Sequence, residues 1–303
     1  MDCPATLEDL RAGGKRAMAT ALSAIEQHPN AREVLTLLDE AWEDPRAHVL
    51  GFTGPPGVGK STLLNSLIDL WRESGRTVGV IAVDPSSRRS GGALLGDRTR
   101  FTIDPEDTGV FVRSMAARDR LGGLAAITYA ASILMRAVYD LVVIETVGVG
   151  QSETEIAAVA DTVTFCVQPG SGDSLQYMKA GVMEVPDIAV VTKADMGPAA
   201  IRARADVKGA LSLTGEDGED RAPVLLVSAS TGDGLDKLLD AIDRRWADLS
   251  RTSGLEAARA AQGVTWLRDQ LQDQFGRKGL AEFEAKVDVA QPPFSQWAAL
   301  LND

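Results

Sequence analysis

Gly54-Pro55-Pro56-Gly57-Val58-Gly59-Lys60-Ser61 decides how the rest of the chain is read. It is a complete G-x-x-x-x-G-K-[ST] string, preceded by the apolar run HVLGFT and followed by TLLNSLIDLWRE, a stretch of helical periodicity. Small residues let the backbone wrap a phosphate group with its N–H groups aimed inward, and the N-terminus of the next helix adds partial positive charge. Lys60 is expected to reach the β and γ phosphates of a nucleoside triphosphate. Ser61 is expected to ligate Mg²⁺, with Thr62 beside it at the phosphates.

Outward from this loop, short apolar runs alternate with turns and helical stretches from His48 to Ser228: VLGFTG, TVGVIAVD, VFVRS, DLVVIET, TVTFCVQ, DIAVVTK and APVLLVS. Continuous apolar strands spaced by helices predict an α/β fold, a doubly wound, mainly parallel sheet of the P-loop type. Before it, Leu7, Leu10, Met18, Leu22 and Ile25, then Val34, Leu35, Leu37 and Leu38, recur at helical spacing. After it, Leu235, Leu238, Leu239, Ile242, Trp246 and Leu249 fall on one helical face, which reads as a helix covering the sheet. A second stripe, Trp266, Leu267, Leu271 and Phe275, lies beyond the break at Arg251–Gly254; it either covers the sheet or projects to pair with a second copy. The expected organisation is a helical extension over 1–45, a nucleotide-binding domain over 46–250 and a helical arm over 251–303 that serves dimerisation.

Composition narrows the partners. The chain has 303 residues, 45% of them hydrophobic and 24% charged, enough to bury a core without staples. Cys3 and Cys166 are far apart and have no Cys or His companions at ligand spacing, which fits a reducing cytoplasm and suggests neither disulfide nor zinc. A formal net charge of −12 opposes broad attachment to nucleic acid or anionic lipid. No apolar window approaches the roughly 20 residues that span a bilayer, so no membrane role is expected.

A triphosphate site needs carboxylates to hold hydrated Mg²⁺, an ion that takes few direct protein ligands. Asp84 closes the run VGVIAVD and Glu145 closes DLVVIE; both fall at strand C-termini, where such sites form in parallel sheets. Thr146-Val147-Gly148-Val149-Gly150 follows at once, and Gly148 would let a backbone N–H approach the γ phosphate.

Val191-Thr192-Lys193-Ala194-Asp195 is similar to the N/T-K-x-D base-recognition element. A carboxylate at Asp195 accepts from both N1–H and N2–H₂ of guanine, a donor pair adenine lacks, while the Lys193 stem lies over the base. Thr192 stands where asparagine is usual and is shorter, which weakens one contact to the base or to the phosphate loop. Ser228-Ala229-Ser230, after the last apolar run, resembles the loop that backs the base oxygen with a backbone N–H. Together these favour GTP over ATP, because polar groups built for one base reject another.

In this order the motifs resemble the MeaB/ArgK/MMAA family of SIMIBI-class P-loop GTPases. The strings that carry the likeness are GFTGPPGVGKSTLLNSL, VDPSSRRSGGALLGDRTRF, FVRSMAARDRLGGLA, VIETVGVGQSE and VVTKAD. With the Mg²⁺ site, the cytoplasmic setting and the homodimer expected through the C-terminal helices, the resemblance implies a GTPase that docks on an adenosylcobalamin-dependent acyl-CoA mutase, most often methylmalonyl-CoA mutase. It implies gating of cofactor loading and protection of the mutase from inactivation. It also implies that Asp97, in GDRTR, joins Asp84 and Glu145 in the magnesium and switch region, and that Lys179, in SLQYMKAG, takes part in GTP hydrolysis. A mobile lysine would supply positive charge to the transition state once its loop is ordered. Arg88 and Arg113 are weaker alternatives for contacting phosphate. Metal-delivery GTPases of the same class need clustered Cys and His, and His28 and His48 are the only histidines here. No kinase catalytic-loop motif supports a transport-linked kinase.

Overall fold

The computed structural model describes residues 3–85, 101–117, 126–146, 155–170, 186–214 and 222–301. Every apolar run noted above is a strand: β1 (His48–Thr53), β2 (Val78–Pro85), β3 (Val110–Ala117), β4 (Leu141–Thr146), β5 (Thr162–Val167), β6 (Ile188–Val191) and β7 (Val224–Leu226). They form one sheet in the order β3-β2-β4-β1-β5-β6-β7, and every neighbouring pair is parallel. Because β1 sits between β4 and β5, the connection from β1 runs to one side of the sheet and that from β4 to the other. Such a point opens a crevice at the strand C-termini.

The faces are set by strand alternation. Leu50, Phe52, Val80, Val143 and Cys166 point to the side covered by α4 (Lys60–Glu73), through Leu63, Leu64, Leu67 and Trp71. Val49, Ile81, Val142, Ile144 and Val163 point to the opposite side. There they meet α5 (Ala126–Val138) and the leading helices α1 (Leu7–Ala12), α2 (Gly14–Gln27) and α3 (Arg32–Glu43). All nine apolar residues singled out before His48 are buried in this second core, and each such leucine contributes roughly 1.5–3 kcal/mol on leaving water. Further along that face, α6 (Pro198–Thr214) packs Ala200, Val207 and Leu211 on Phe165 and Val167 of β5.

The two later stripes have different addresses. Leu235, Leu238 and Ile242 of α7 (Leu235–Arg251) join α4 in its core. Trp266, Leu267 and Leu271 of α8 (Gly254–Phe283) lie in the α5 core of this same chain, with Phe294, Trp297 and Leu300 of α9 (Pro293–Leu300). The backbone of α8 breaks at Gly276, with φ 68°. An ion pair fixes α8 to the lower end of the sheet. Arg259 binds both carboxylate oxygens of Asp161 at 2.9 and 2.6 Å and the Ala47 carbonyl at 2.8 Å, while Asp161 also accepts from the Val49 N–H.

Candidate nucleotide site

β1 ends at Thr53 and the chain turns through Gly54, where φ is 134°. A Cβ there would sit 2.1 Å from the carbonyl oxygen of Cys166 on β5, so only glycine lets the loop leave the sheet this closely. Gly57 and Gly59 also take positive φ, and Gly59 brings the chain into α4 with no side chain capping the helix. The first-turn N–H groups are thus open to a phosphate, which needs no other cap. Lys60 is buried, and its ammonium donates to the carbonyls of Gly54 at 2.6 Å and Pro55 at 3.0 Å.

At the next residue, the end of β4 closes on the same loop. Ser61 Oγ donates to Glu145 Oε1 at 2.7 Å, and Thr146 Oγ1 donates to Thr53 Oγ1 at 2.9 Å. Glu145 lies between Phe52 on β1 and Ala82 on β2 in the strand register. A hydroxyl and a carboxylate in contact are hard oxygen donors of the kind Mg²⁺ selects. Asp84 lies at the C-terminal end of β2, two residues beyond the partner of Glu145. Below the loop the Cys166 thiol is wholly buried, and burial pushes it up to about 12.

The base-recognition segment joins the phosphate loop from the β6 side. Thr192 Oγ1 lies 2.7 Å from the Val58 carbonyl and 2.9 Å from that of Val167. The threonine hydroxyl therefore ties the segment to the phosphate loop directly, and the shorter side chain keeps that contact. Lys193 stands in the left-handed region, φ 53° and ψ 44°, and its ammonium donates to Gly57 O at 3.3 Å and Gln168 Oε1 at 2.5 Å. Asp195 is exposed, and one of its oxygens accepts from Ser228 Oγ at 2.7 Å. Ser230 Oγ is 3.0 Å from Ser228 Oγ, and the turn is closed by Gly232 N–H on the Ser228 carbonyl at 2.9 Å.

Residues 54–62, Glu145, Thr192, Lys193, Asp195, Ser228 and Ser230 therefore meet at one end of the sheet. Asp97, Gly148, Lys179 and Arg88 lie outside the described residues. Arg113 is engaged elsewhere: its guanidinium pairs with Glu26 of α2 at 2.5 Å. Gln168, Thr53 and the side-chain contact from Ser228 to Asp195 went unread in the sequence, although each residue stands at a strand end, the signal that marked Asp84 and Glu145.

The sequence profile described as Methylmalonyl Co-A mutase-associated GTPase MeaB matches residues 16–283. The chain belongs to this MeaB family. A Pyrococcus horikoshii protein named only as a GTPase is 43% identical over 241 residues, covering 78% of this chain and 75% of the relative. The mouse methylmalonic aciduria type A homolog, named as mitochondrial, is 34% identical over 278 residues, covering 86% and 67%. A crystal structure titled LAO/AO transport system kinase superposes with a TM-score of 0.67 at 29% identity, over 98% of this chain and 95% of the other. The protein is thus a P-loop GTPase of the MeaB family, an enzyme that binds guanine nucleotide and hydrolyses GTP.

Proposed function

We propose that this MeaB-family GTPase is a Mg²⁺-dependent switch that chaperones an adenosylcobalamin-dependent acyl-CoA mutase, methylmalonyl-CoA mutase first among them. The family description, which joins the GTPase to that mutase, carries this reading, and the mouse relative named for methylmalonic aciduria supports it. The chaperone gates cofactor loading and shields the mutase from inactivation. Among the described residues no helix is long and apolar enough to cross a membrane.

At the nucleotide, residues 54–62 take the phosphates, with Lys60 moving from the Gly54 and Pro55 carbonyls to the β and γ phosphate oxygens. Ser61 and Glu145, with Asp84 and Asp97, would hold Mg²⁺, which when bound would neutralise the charge developing on the phosphates. Thr192 fixes the segment, Lys193 covers the base, and Asp195, aimed by Ser228, accepts from the guanine edge. The Ser228–Ser230 turn backs the base oxygen. Gly148 senses the γ phosphate, and Lys179 supplies charge to hydrolysis when the mutase engages. Hydrolysis by the isolated protein is accordingly slow.

The experiment mixes purified protein with purified methylmalonyl-CoA mutase, in GDP and in a non-hydrolysable GTP analogue, and follows complex formation by ultracentrifugation and phosphate release by a coupled assay. A nucleotide-dependent complex with faster GTP turnover is expected. No complex in either state, or turnover of the isolated protein already at about 10 s⁻¹, a rate typical of finished enzymes, would end the chaperone reading. Radioactive phosphate from γ-labelled GTP retained on a protein instead of released would favour the kinase activity for which the solved relative is named.

A further inference from the structure

Gln168 follows the last residue of β5 and is half-buried beside the phosphate loop. Its Oε1 accepts from the Lys193 ammonium at 2.5 Å, a closer contact than the 3.3 Å bond from the same ammonium to Gly57 O. Lys193 is the one non-glycine residue at positive φ among those described. A side chain in that region costs roughly 1–2 kcal/mol, so something must hold it there.

The backbone on both sides does so. Thr192 N–H donates to Val167 O at 2.8 Å, Ala194 N–H to Val227 O at 3.1 Å and Met196 N–H to Lys193 O at 3.0 Å. With the backbone placed from β5 and β7, the side chain runs back across the phosphate loop, its Cε 4.0 Å from where a Cβ on Gly59 would stand. At the far end it meets two acceptors. An exposed lysine with one long contact keeps most of its torsional freedom in water, whereas two acceptors fix the whole stem.

We propose that Gln168 is a positioning residue which, by gripping the Lys193 ammonium, sets the lysine stem as a flat rail beneath the purine ring. This rests on the guanine-site reading of Lys193 and Asp195 given above. In this role Gln168 acts through Lys193 and not on the nucleotide itself. A rail that packs on a ring face is indifferent to the groups on the ring edge, so its loss is shared by guanine and hypoxanthine nucleotides. The Asp195 carboxylate, by contrast, separates them, since hypoxanthine lacks the 2-amino group.

The test is calorimetric titration with GDP and with inosine diphosphate of the full chain and of Gln168→Leu, Gln168→Glu, Lys193→Ala and the double variant Gln168→Leu/Lys193→Ala. Gln168→Leu should weaken both nucleotides by one common factor, roughly three- to tenfold for an exposed charge-assisted hydrogen bond. Gln168→Glu, which keeps an acceptor in place, should recover the wild-type affinity, and Gln168→Leu should cost nothing further in the Lys193→Ala background. Wild-type affinity in Gln168→Leu, an equal loss in the Lys193→Ala background, or a Gln168→Glu variant as weak as Gln168→Leu would each overturn the inference. Failure of the unaltered protein to bind GDP would instead overturn the guanine-site reading itself, and this inference with it.

Discussion

Ser61 and Glu145, 84 residues apart in sequence, meet in a 2.7 Å hydrogen bond from the serine hydroxyl to Oε1 of the glutamate. The contact joins the first turn of α4 to the end of β4 across β1, so the two donors expected to hold Mg²⁺ are brought together by sheet order alone. With Mg²⁺ present, the Ser61 hydroxyl and the Glu145 carboxylate would serve as oxygen donors in or next to its coordination shell.

Ser61→Ala and Glu145→Gln should therefore both raise the Mg²⁺ concentration at half-maximal GTPase rate, by roughly tenfold or more for loss of a group in or next to the coordination shell. A Mg²⁺ titration of phosphate release measures this. Rates reduced at every Mg²⁺ concentration with an unchanged midpoint would place both residues outside the metal site.

Asp195 and Ser228 give the second prediction. The serine hydroxyl holds one carboxylate oxygen at 2.7 Å, which in the proposed site would aim the carboxylate at the base edge. Asp195→Asn replaces the acceptor that faces the guanine 2-amino group with a donor, so GDP should bind at least about a hundredfold more weakly while xanthosine diphosphate, which carries a carbonyl oxygen in place of that amino group, gains. Ser228→Ala should weaken GDP by roughly tenfold or less without changing the preferred base, since it removes only the aiming bond. Competition titrations with the two diphosphates check both; a switch of preference in Ser228→Ala would contradict the assignment of roles.

How far the sequence alone reached follows from what local patterns encode. Gly54 to Ser61 and the seven apolar runs are contiguous signals, and each maps onto a loop or a strand because strand burial in a parallel sheet demands unbroken apolar residues. The stripe at Trp266, Leu267 and Leu271 said that a helix face is buried but not against what; Tyr129, stacked on Trp266 at 5.8 Å, comes from a helix more than a hundred residues earlier. Thr192 looked like a weakened asparagine, and only its neighbours show that the hydroxyl reaches both Val58 and Val167. Gln168 was invisible for the same reason: its acceptor matters because β5 and β6 are adjacent, and adjacency is a property of the sheet.

Asp161 and Arg259 form a pair whose side chains are 2% and 9% exposed, the tightest link between α8 and the sheet. Removing one partner strands the other charge in a dry site. Asp161→Ala should lower stability by about 3–5 kcal/mol, because Arg259 and the Val49 N–H both lose their acceptor. Urea unfolding is the measurement, and a loss below about 1 kcal/mol, the ceiling for surface pairs, would mean that water reaches the pair in solution.

The last prediction concerns acid. His48 stacks on Trp246 at 4.6 Å with its Nε2 at 2.7 Å from Thr162 Oγ1, and burial, opposed by Asp161 and aided by Arg259, lowers it from 6.5 to about 4. The unfolded chain takes up this proton first, so stability present above about pH 6.5 is lost as pH falls toward 4, by at most about 1.4 kcal/mol per pH unit. Asp39 works the other way. On α3 it accepts from the Ser295 N–H at the start of α9 at 3.2 Å, and burial raises it from 3.8 to about 6. Here the folded chain takes up the proton first, so its contribution is complete below 3.8 and is lost as pH rises through 6; partial exposure makes it the smaller of the two. Between pH 6.5 and 4.5 the two oppose each other. Asp39→Asn, which keeps the acceptor for Ser295, removes one side of that balance, so its urea midpoint should fall more steeply on acidification than that of the unaltered protein. His48→Gln should fall less steeply. Three parallel curves over this range would show that neither group titrates differently in the folded and unfolded chains.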